Sequence, residues 1–277
     1  VHQGTRFRAK GAPVLNLKPA FDQPSAIESL ERDLIARFNK RHKAVRPLQP
    51  RLDARMASYE LAARMQVEAS DALDLDQETE ATKKMYGMDS SNGVTAAYGH
   101  QALLARRLVE SGVRFVELSC LPEKMGGGQA PNPWDQHGNL KNGHENMARQ
   151  VDQPIGGLLK DLKSRDLLKD TLVIWAGEFG RTPYVQGKVD APKYGRDHHG
   201  RAFTVWMAGA GVKPGFVYGE TDDFAYNVAR DPVHVHDFQA TIMHLLGIDH
   251  EQLTFKYQGR HYRLTDIHGE VVRPVLA

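Results

Sequence analysis

The sequence predicts an α/β protein: a parallel sheet in the second part of the chain, behind an α-rich first section. Two observations carry this. Residues 25–110 hold apolar side chains at three- and four-residue spacing, the helical period. Beyond residue 110, short apolar runs alternate with loops and helices in the order strand, loop, helix, strand, loop, strand, helix, the pattern of a parallel sheet covered by helices. The expected division is an α-rich section over 1–110, an insertion, a cap or part of the same domain, and an α/β core over 111–277.

The elements follow in order. Residues 1–23 read as an irregular lead-in. Pro24-Ser25 opens a helix bearing Ile27, Leu30, Leu34 and Phe38. Arg51 to Glu68 is rich in the helix formers Ala, Met and Leu. Thr79 to Tyr86 is closed by Gly87, and Ala97 to Glu110 ends on the C-capping pair Ser111-Gly112. Val113 to Ser119 reads as a strand, followed by a loop from Leu121 to about Asn142. A helix covers roughly Glu145 to Arg165, with Met147, Val151, Leu158, Leu159 and Leu162 on one face and a kink expected at Pro154 and Gly156-Gly157. Thr171 to Ala176 and Ala202 to Ala208 are apolar runs of buried-strand type. Val212 to Tyr218 reads as a hairpin arm, His236 to Leu246 as a helix ended by Gly247, and Phe255 to Leu264 as edge strands around Gly259.

Composition narrows the function. A chain of 277 residues, 41% hydrophobic and 25% charged, can bury a core without disulfides. Its single cysteine, Cys120, excludes an intrachain disulfide and a cysteine-built zinc cluster. A net charge of +2 with no long basic run argues against nucleic acid as a partner. No stretch reaches the length of a membrane span. The start, VHQGTRFRAK, has neither an initiator Met nor the apolar segment of a signal peptide, so the chain reads as a piece of something longer.

The histidines point to chemistry: of thirteen, ten lie after residue 130, several beside Asp or Gly in loops. Three loops flanking the predicted strands carry Pro133-Trp-Asp-Gln-His-Gly-Asn139, Gly177-Glu-Phe-Gly-Arg-Thr-Pro183 and Gly195-Arg-Asp-His-His-Gly200. Ligands gather at one edge of a parallel sheet, so these loops would present Asp135, His137, Glu178, Arg181, Asp197 and His198 together, with His144 beyond. Carboxylate oxygen and imidazole nitrogen are ligands for zinc, manganese or iron. Arg181 fits an oxyanion, because its planar fork matches phosphate or sulfate and stays charged. A metal beside an arginine is equipment for hydrolysing such esters.

Other candidates weigh less. In His234-Val-His236-Asp237, Asp237 stands where a helix cap belongs. His244 reads as a satisfied helix histidine, and His250, His261 and His268 have no spacing argument. Cys120-Leu-Pro-Glu-Lys124 has the outline of a sulfatase signature but ends in Lys and follows the first strand, which makes it a coincidence.

The chain resembles the DUF1501 family of bacterial proteins, abundant in planctomycetes, within the alkaline phosphatase/sulfatase superfamily. The resemblance runs from His2-Gln-Gly-Thr5 through Ser58-Tyr-Glu-Leu-Ala-Ala-Arg-Met-Gln66 and Leu104-Ala-Arg-Arg-Leu-Val-Glu110. It is sharpest at Trp134-Asp-Gln-His137, Glu178-Phe-Gly-Arg-Thr-Pro183, Gly195-Arg-Asp-His198, Pro232-Val-His-Val-His-Asp237 and Leu264-Thr-Asp-Ile-His-Gly-Glu270. It implies a parallel-sheet sandwich of the alkaline phosphatase/sulfatase type. It also implies a divalent metal, zinc first and Mn, Mg or Ca after it, held by Asp135, His137 and His198. His144 competes for the second place and His199 for the third. Where the superfamily has an Asp-His pair for a second metal, this chain has Glu178-Phe179, of which only Glu178 can ligate. The superfamily's early nucleophile strand has no counterpart here, so the chain resembles the C-terminal portion of such a protein. Family habit implies export to the periplasm.

The reading is therefore a metal-dependent hydrolase of small phosphate or sulfate esters, with Arg181 and Glu178 at the reaction and Asp135, His137, His198, Glu178 and His144 as candidate ligands. The alternative is a non-catalytic metal- or anion-binding module in an extracytoplasmic assembly.

Overall fold

The computed structural model describes residues 7–8, 24–46, 49, 52–60, 72–120 and 134–277. The helices are α1 (Ser25–Ala44), α2 (Glu80–Met85), α3 (Gly93–Glu110), α4 (Leu140–Ser164) and α5 (Val235–Leu245); residues 52–60 are also helical. The strands are β1 (Val173–Trp175), β2 (Gly180–Arg181), β3 (His198–His199), β4 (Trp206–Ala208), β5 (Glu220–Thr221), β6 (Val228–Arg230), β7 (Thr254–Tyr257) and β8 (Arg260–Arg263). No described helix is long and apolar enough to cross a membrane.

The core forms where α3 lies on α4. Leu103, Leu104 and Leu108 of α3 meet Leu158 and Leu162 of α4, with Tyr86 between them. Two glycines permit this approach. A Cβ on Gly99 would stand 2.2 Å from the Tyr86 carbonyl oxygen, and one on Gly157 would stand 2.7 Å from that of Met85. The end of α2 is thus seated against both longer helices. This core crosses residue 110, so the α-rich section and the part after it are packed together.

A charged cluster is buried beside that core. Arg106, with a fully buried side chain, reaches Glu78 at 2.7 Å, Glu110 at 2.6 Å and Asp161 at 2.8 Å. Arg107 adds a 2.6 Å contact to Glu78, Arg165 one of 2.8 Å to Asp161, and the Tyr86 hydroxyl donates to Asp161 at 3.0 Å. Burial works against the Glu78 carboxylate, yet hydrogen bonds and charge from Arg106 and Arg107 hold its pKa below the ordinary value.

Several helix bounds differ from expectation. α3 starts at Gly93, four residues before Ala97, because the Asn92 side chain accepts from the Val94 and Thr95 amides. α4 starts at Leu140 instead of Glu145 and stays helical through Pro154. α5 is capped by His234, whose Nδ1 accepts from His236 N, while Asp237 answers the His234 amide from the third helical position. Asp237 is therefore part of a capping box; it also accepts from Glu270 N at 2.8 Å, tying the tail to this helix.

The described strands pair differently from expectation. All four ladders are antiparallel and two-stranded: β1–β4, β2–β3, β5–β6 and β7–β8. A parallel pair is not among them, and Val113–Ser119 forms no ladder with a described strand. The runs 171–176 and 202–208 face each other as β1 and β4, with Trp175 opposite Trp206. Hydrophobicity identified these strands but could not supply their direction, which depends on the partner. Val212–Tyr218 contributes one isolated bridge, Val212 to Leu276, rather than a hairpin arm. The lead-in apart from residues 7–8, residues 51 and 61–68 of the second expected helix, and residues 121–133 of the loop lie outside the described residues.

Candidate metal centre

Two pieces of backbone build the site. The first is the β2–β3 ladder, which sets Arg181 directly opposite His198. Paired residues of a ladder project to the same face, so both side chains reach one point. Thr182 extends the pairing: its amide donates to the Asp197 carbonyl at 2.9 Å and its hydroxyl accepts from Asp197 N at 3.2 Å.

The second piece is the loop 134–139. It begins at Trp134 with φ of 63° and ends at Asn139 with φ of 51°, both in the left-handed region. The loop lies on residues 193–196. Asn139 N donates to Lys193 O at 3.1 Å, Leu140 N to Tyr194 O at 3.0 Å, and Arg196 N to Gln136 O at 3.1 Å. Gly195 makes the contact possible, since a Cβ there would sit 2.0 Å from the His137 carbonyl carbon. Gly195→Ala should therefore push this loop away and weaken metal affinity roughly 10–100-fold, the range for disturbing what supports a ligand. Gly200→Ala, where a Cβ meets nothing, should leave affinity unchanged. A zinc titration against a chromogenic chelator compares the two, and equal affinities would refute the role given to Gly195.

Asp135, His137 and His198 converge among the described residues. Asp135 Oδ1 lies 2.9 Å from His137 Nε2 and 2.9 Å from His198 Nε2, and the two nitrogens are 3.0 Å apart. A tetrahedral zinc with bonds of about 2.0–2.1 Å has ligand–ligand edges of about 3.3 Å. The triangle is one face of such a tetrahedron, slightly contracted. His137 Nδ1 donates to Gln186 Oε1 at 2.7 Å, which turns a lone pair on Nε2 toward the triangle. The His198 ring is flanked by Phe179, with centroids 4.7 Å apart.

Arg181 completes the site. Its Nη2 donates to Asp135 Oδ1 at 2.6 Å, and the side chain is only 16% exposed. Its Nη1 is buried with no hydrogen-bond partner among the described residues. Burial disfavours the Asp135 carboxylate, but the hydrogen bonds of His198 and Arg181, with the charge of Arg181, keep its pKa below the ordinary value. The carboxylate therefore stays ionised, as a ligand must be.

The other predicted residues are placed elsewhere. Glu178 is 64% exposed, 4.0 Å from Arg181 and outside the converging group. His144 turns its Nδ1 to the Leu140 carbonyl at 3.1 Å and meets the Trp134 ring edge-on at 5.5 Å. Burial, aided by the charges of Arg181 and Arg196, lowers its pKa, and its position leaves it outside the triangle. His199 is buried and donates from Nε2 to the Tyr226 carbonyl at 2.6 Å, which leaves His198 as the ligand from that pair. Cys120 accepts from Trp134 Nε1 at 3.1 Å, and burial pushes its thiol pKa up. The contributions of Gln186, Phe179 and Gly195 carry no local sequence signal. Only the bridge between Gln186 and Gly195 brings Gln186 under His137.

The site brings together an Asp-His-His cluster that could hold a metal ion and a largely buried arginine. The family model described as protein of unknown function (DUF1501) matches residues 1–276, and the chain belongs to that family. No curated protein and no solved structure matches it.

Proposed function

We propose that this protein is a metal-dependent hydrolase of small phosphate or sulfate esters. One observation carries the reading: three ligand atoms within 3.0 Å of one another, beside a guanidinium with a buried, unpartnered Nη1. Two bare imidazole nitrogens and an ionised carboxylate oxygen at these distances repel unless a cation or a proton joins them. Two nitrogens and one oxygen with an open fourth position suit zinc, with manganese a weaker fit. Bound there, the ion would supply Lewis acidity and a water acidic enough to attack at neutral pH.

The chain's own residues divide the remaining work. Gln186 fixes the His137 tautomer, and Phe179 limits water on one side of His198. Arg181 spends Nη2 on Asp135 and has Nη1 left for an ester oxygen. The superfamily likeness, with its parallel-sheet sandwich and export, belongs to this proposal, without a second metal, since Glu178 stands outside the converging group and Phe179 cannot ligate.

A second reading has a specific observation behind it. The nearest hydroxyl along the chain, that of Thr182, is engaged, donating to Tyr184 O and accepting from Asp197 N. Without a side-chain nucleophile, the site would serve as a metal- and anion-binding module. Turnover of p-nitrophenyl phosphate or sulfate by the zinc-loaded chain, lost in Asp135→Ala, decides for the hydrolase; a loaded but inert chain decides for the module.

Arg181→Ala tests the anion role in either case. Phosphate affinity should fall roughly 10–100-fold, as expected for a lost charge-assisted, partly buried contact. Metal content should be retained, since Arg181 is not a ligand. Isothermal titration with phosphate beside elemental analysis reads both, and parallel loss of metal and anion would make Arg181 a structural residue.

A further inference from the structure

Beside the proposed oxyanion clamp lies a cleft of about 390 Å³ lined by Pro183, Tyr184, Asp222, Phe224, Tyr226 and Asn227. We propose that this cleft is a subsite for a six-membered ring in the organic half of the ester. The inference rests on the anion-binding reading of Arg181 and adds the class of group that the anion is attached to.

Four observations support it. The first is composition: three of the six lining residues are aromatic, two of them exposed, Tyr184 at 56% and Phe224 at 81%. Large aromatic rings left in water around a concavity are the usual lining of a site for flat or ring-shaped ligands. The second is geometry. Tyr184 and Tyr226 lie nearly parallel, 28° apart with centroids at 6.3 Å.

The third is rigidity. The Asp222 carboxylate accepts from Tyr226 N at 2.8 Å and Asn227 N at 3.0 Å, closing the turn between β5 and β6. An ion pair between Glu220 and Arg230 clamps the ladder below that turn. The aromatic wall is thus held on a braced hairpin.

The fourth is continuity with the site. Tyr184 follows Arg181 by three residues, so their α-carbons are no more than about 11 Å apart. The Thr182 hydroxyl donates to the Tyr184 carbonyl at 2.8 Å and so holds that short link. On the partner strand, His198 belongs to the metal triangle, while the next residue, His199, donates to the Tyr226 carbonyl at 2.6 Å. Both walls of the cleft are therefore attached to the strand pair that carries Arg181 and His198. In this subsite an ester would meet Arg181 with its anionic head and lay its ring against Tyr184 and Phe224. Asp222 and Asn227 at the edge offer polar contacts to ring hydroxyls.

Binding to the zinc-loaded full chain tests this, with three probes: methylphosphonate, phenylphosphonate and glucose 1-phosphate. The ring-bearing anion should bind roughly tenfold tighter than methylphosphonate, the scale of one aromatic stacking contact. Preference for the phenyl compound marks an aryl ring, and preference for the glucose compound marks a pyranose. Tyr184→Ala and Phe224→Ala, separately and together, should erase that advantage and leave methylphosphonate affinity unchanged. Both side chains are largely exposed, so the variants should fold, and circular dichroism checks this. Equal affinity for all three probes, or a ring advantage that survives the double variant, overturns the subsite while leaving the anion reading intact. Absence of anion binding by any probe overturns both.

Discussion

Asp135→Ala is expected to empty the metal centre. The wild-type chain should carry about one divalent ion after dialysis against zinc, and the variant close to none, with affinity lower by at least about 100-fold. The physical reason is that Asp135 Oδ1 is the shared corner of the site. It stands 2.9 Å from each imidazole nitrogen and 2.6 Å from Arg181. Removing it leaves two imidazoles beside a guanidinium whose remaining carboxylate, Glu178, is 4.0 Å away, and takes from the site its one anionic corner, an environment less favourable to a cation. Asp135→Asn keeps the size and an oxygen but not the charge, and should still lose most of the affinity. Asp197→Ala is the comparison: its carboxylate lies outside the triangle, 3.8 Å from His137 Nδ1, and accepts from His198 N at 2.8 Å, so its loss should cost less affinity than that of Asp135. Elemental analysis of the three variants checks this, and a metal content in Asp135→Ala equal to wild type would end the ligand assignment.

Arg106→Ala is expected to be the most destabilising single change among the described residues. It would strand Glu78 and Asp161, whose side chains are 6% and 5% exposed, after removing the cation they share. Breaking a buried ion pair in this way costs about 3–5 kcal/mol, a large part of a typical total of about 5–15. At roughly 2–4 °C per kcal/mol for chains of this size, Tm should fall by about 6–20 °C. Arg107 and Arg165 remain in contact with the carboxylates and keep the loss toward the lower figure. The same cluster gives the wild type an acid sensitivity. Glu78 has a folded pKa below its unfolded value near 4.5, so its contribution is complete above that pH and is lost as the pH falls through the lower folded value. Thermal melts from pH 7 downward should show this loss in the wild type and a shallower one in Glu78→Gln. An unchanged Tm in Arg106→Ala would show that the cluster contributes little net stability.

The two parts of the molecule differed in how far local sequence could describe them. Helices were legible because their signal is periodic and internal; of the face expected in α4, Met147, Val151, Leu158 and Leu162 are buried and Leu159, at its margin, is half-buried. Cap-dependent starts were less so, since Asn92 and His234 act through hydrogen bonds that residue type alone does not announce. Sheet pairing was not legible, because direction and register depend on partners far along the chain. The site divides in the same way. Asp135, His137, His198 and Arg181 stood out by residue type and loop context, and they meet. Gln186 and Gly195 did not, because their roles exist only once residues 134–139 lie across residues 193–196. Arg106 sat within a run of ordinary helix formers, and nothing in that run distinguishes a buried arginine from an exposed one.

The triangle also has a topological meaning. His137 and His198 are separated by 61 residues, a stretch that contains all of α4, β1 and β2. An ion held between them is a clasp on a long loop, and cross-links that close long loops remove the most freedom from the unfolded chain. The ladder beneath it is only two residues long on each strand, and the backbone hydrogen bonds between the 134–140 segment and residues 193–196 share that closure with it. Loading and folding are then one coupled equilibrium, in which each tenfold rise in free metal above the dissociation constant adds about 1.4 kcal/mol to the folded state. The availability of the proposed ion would then contribute to the stability of the folded state.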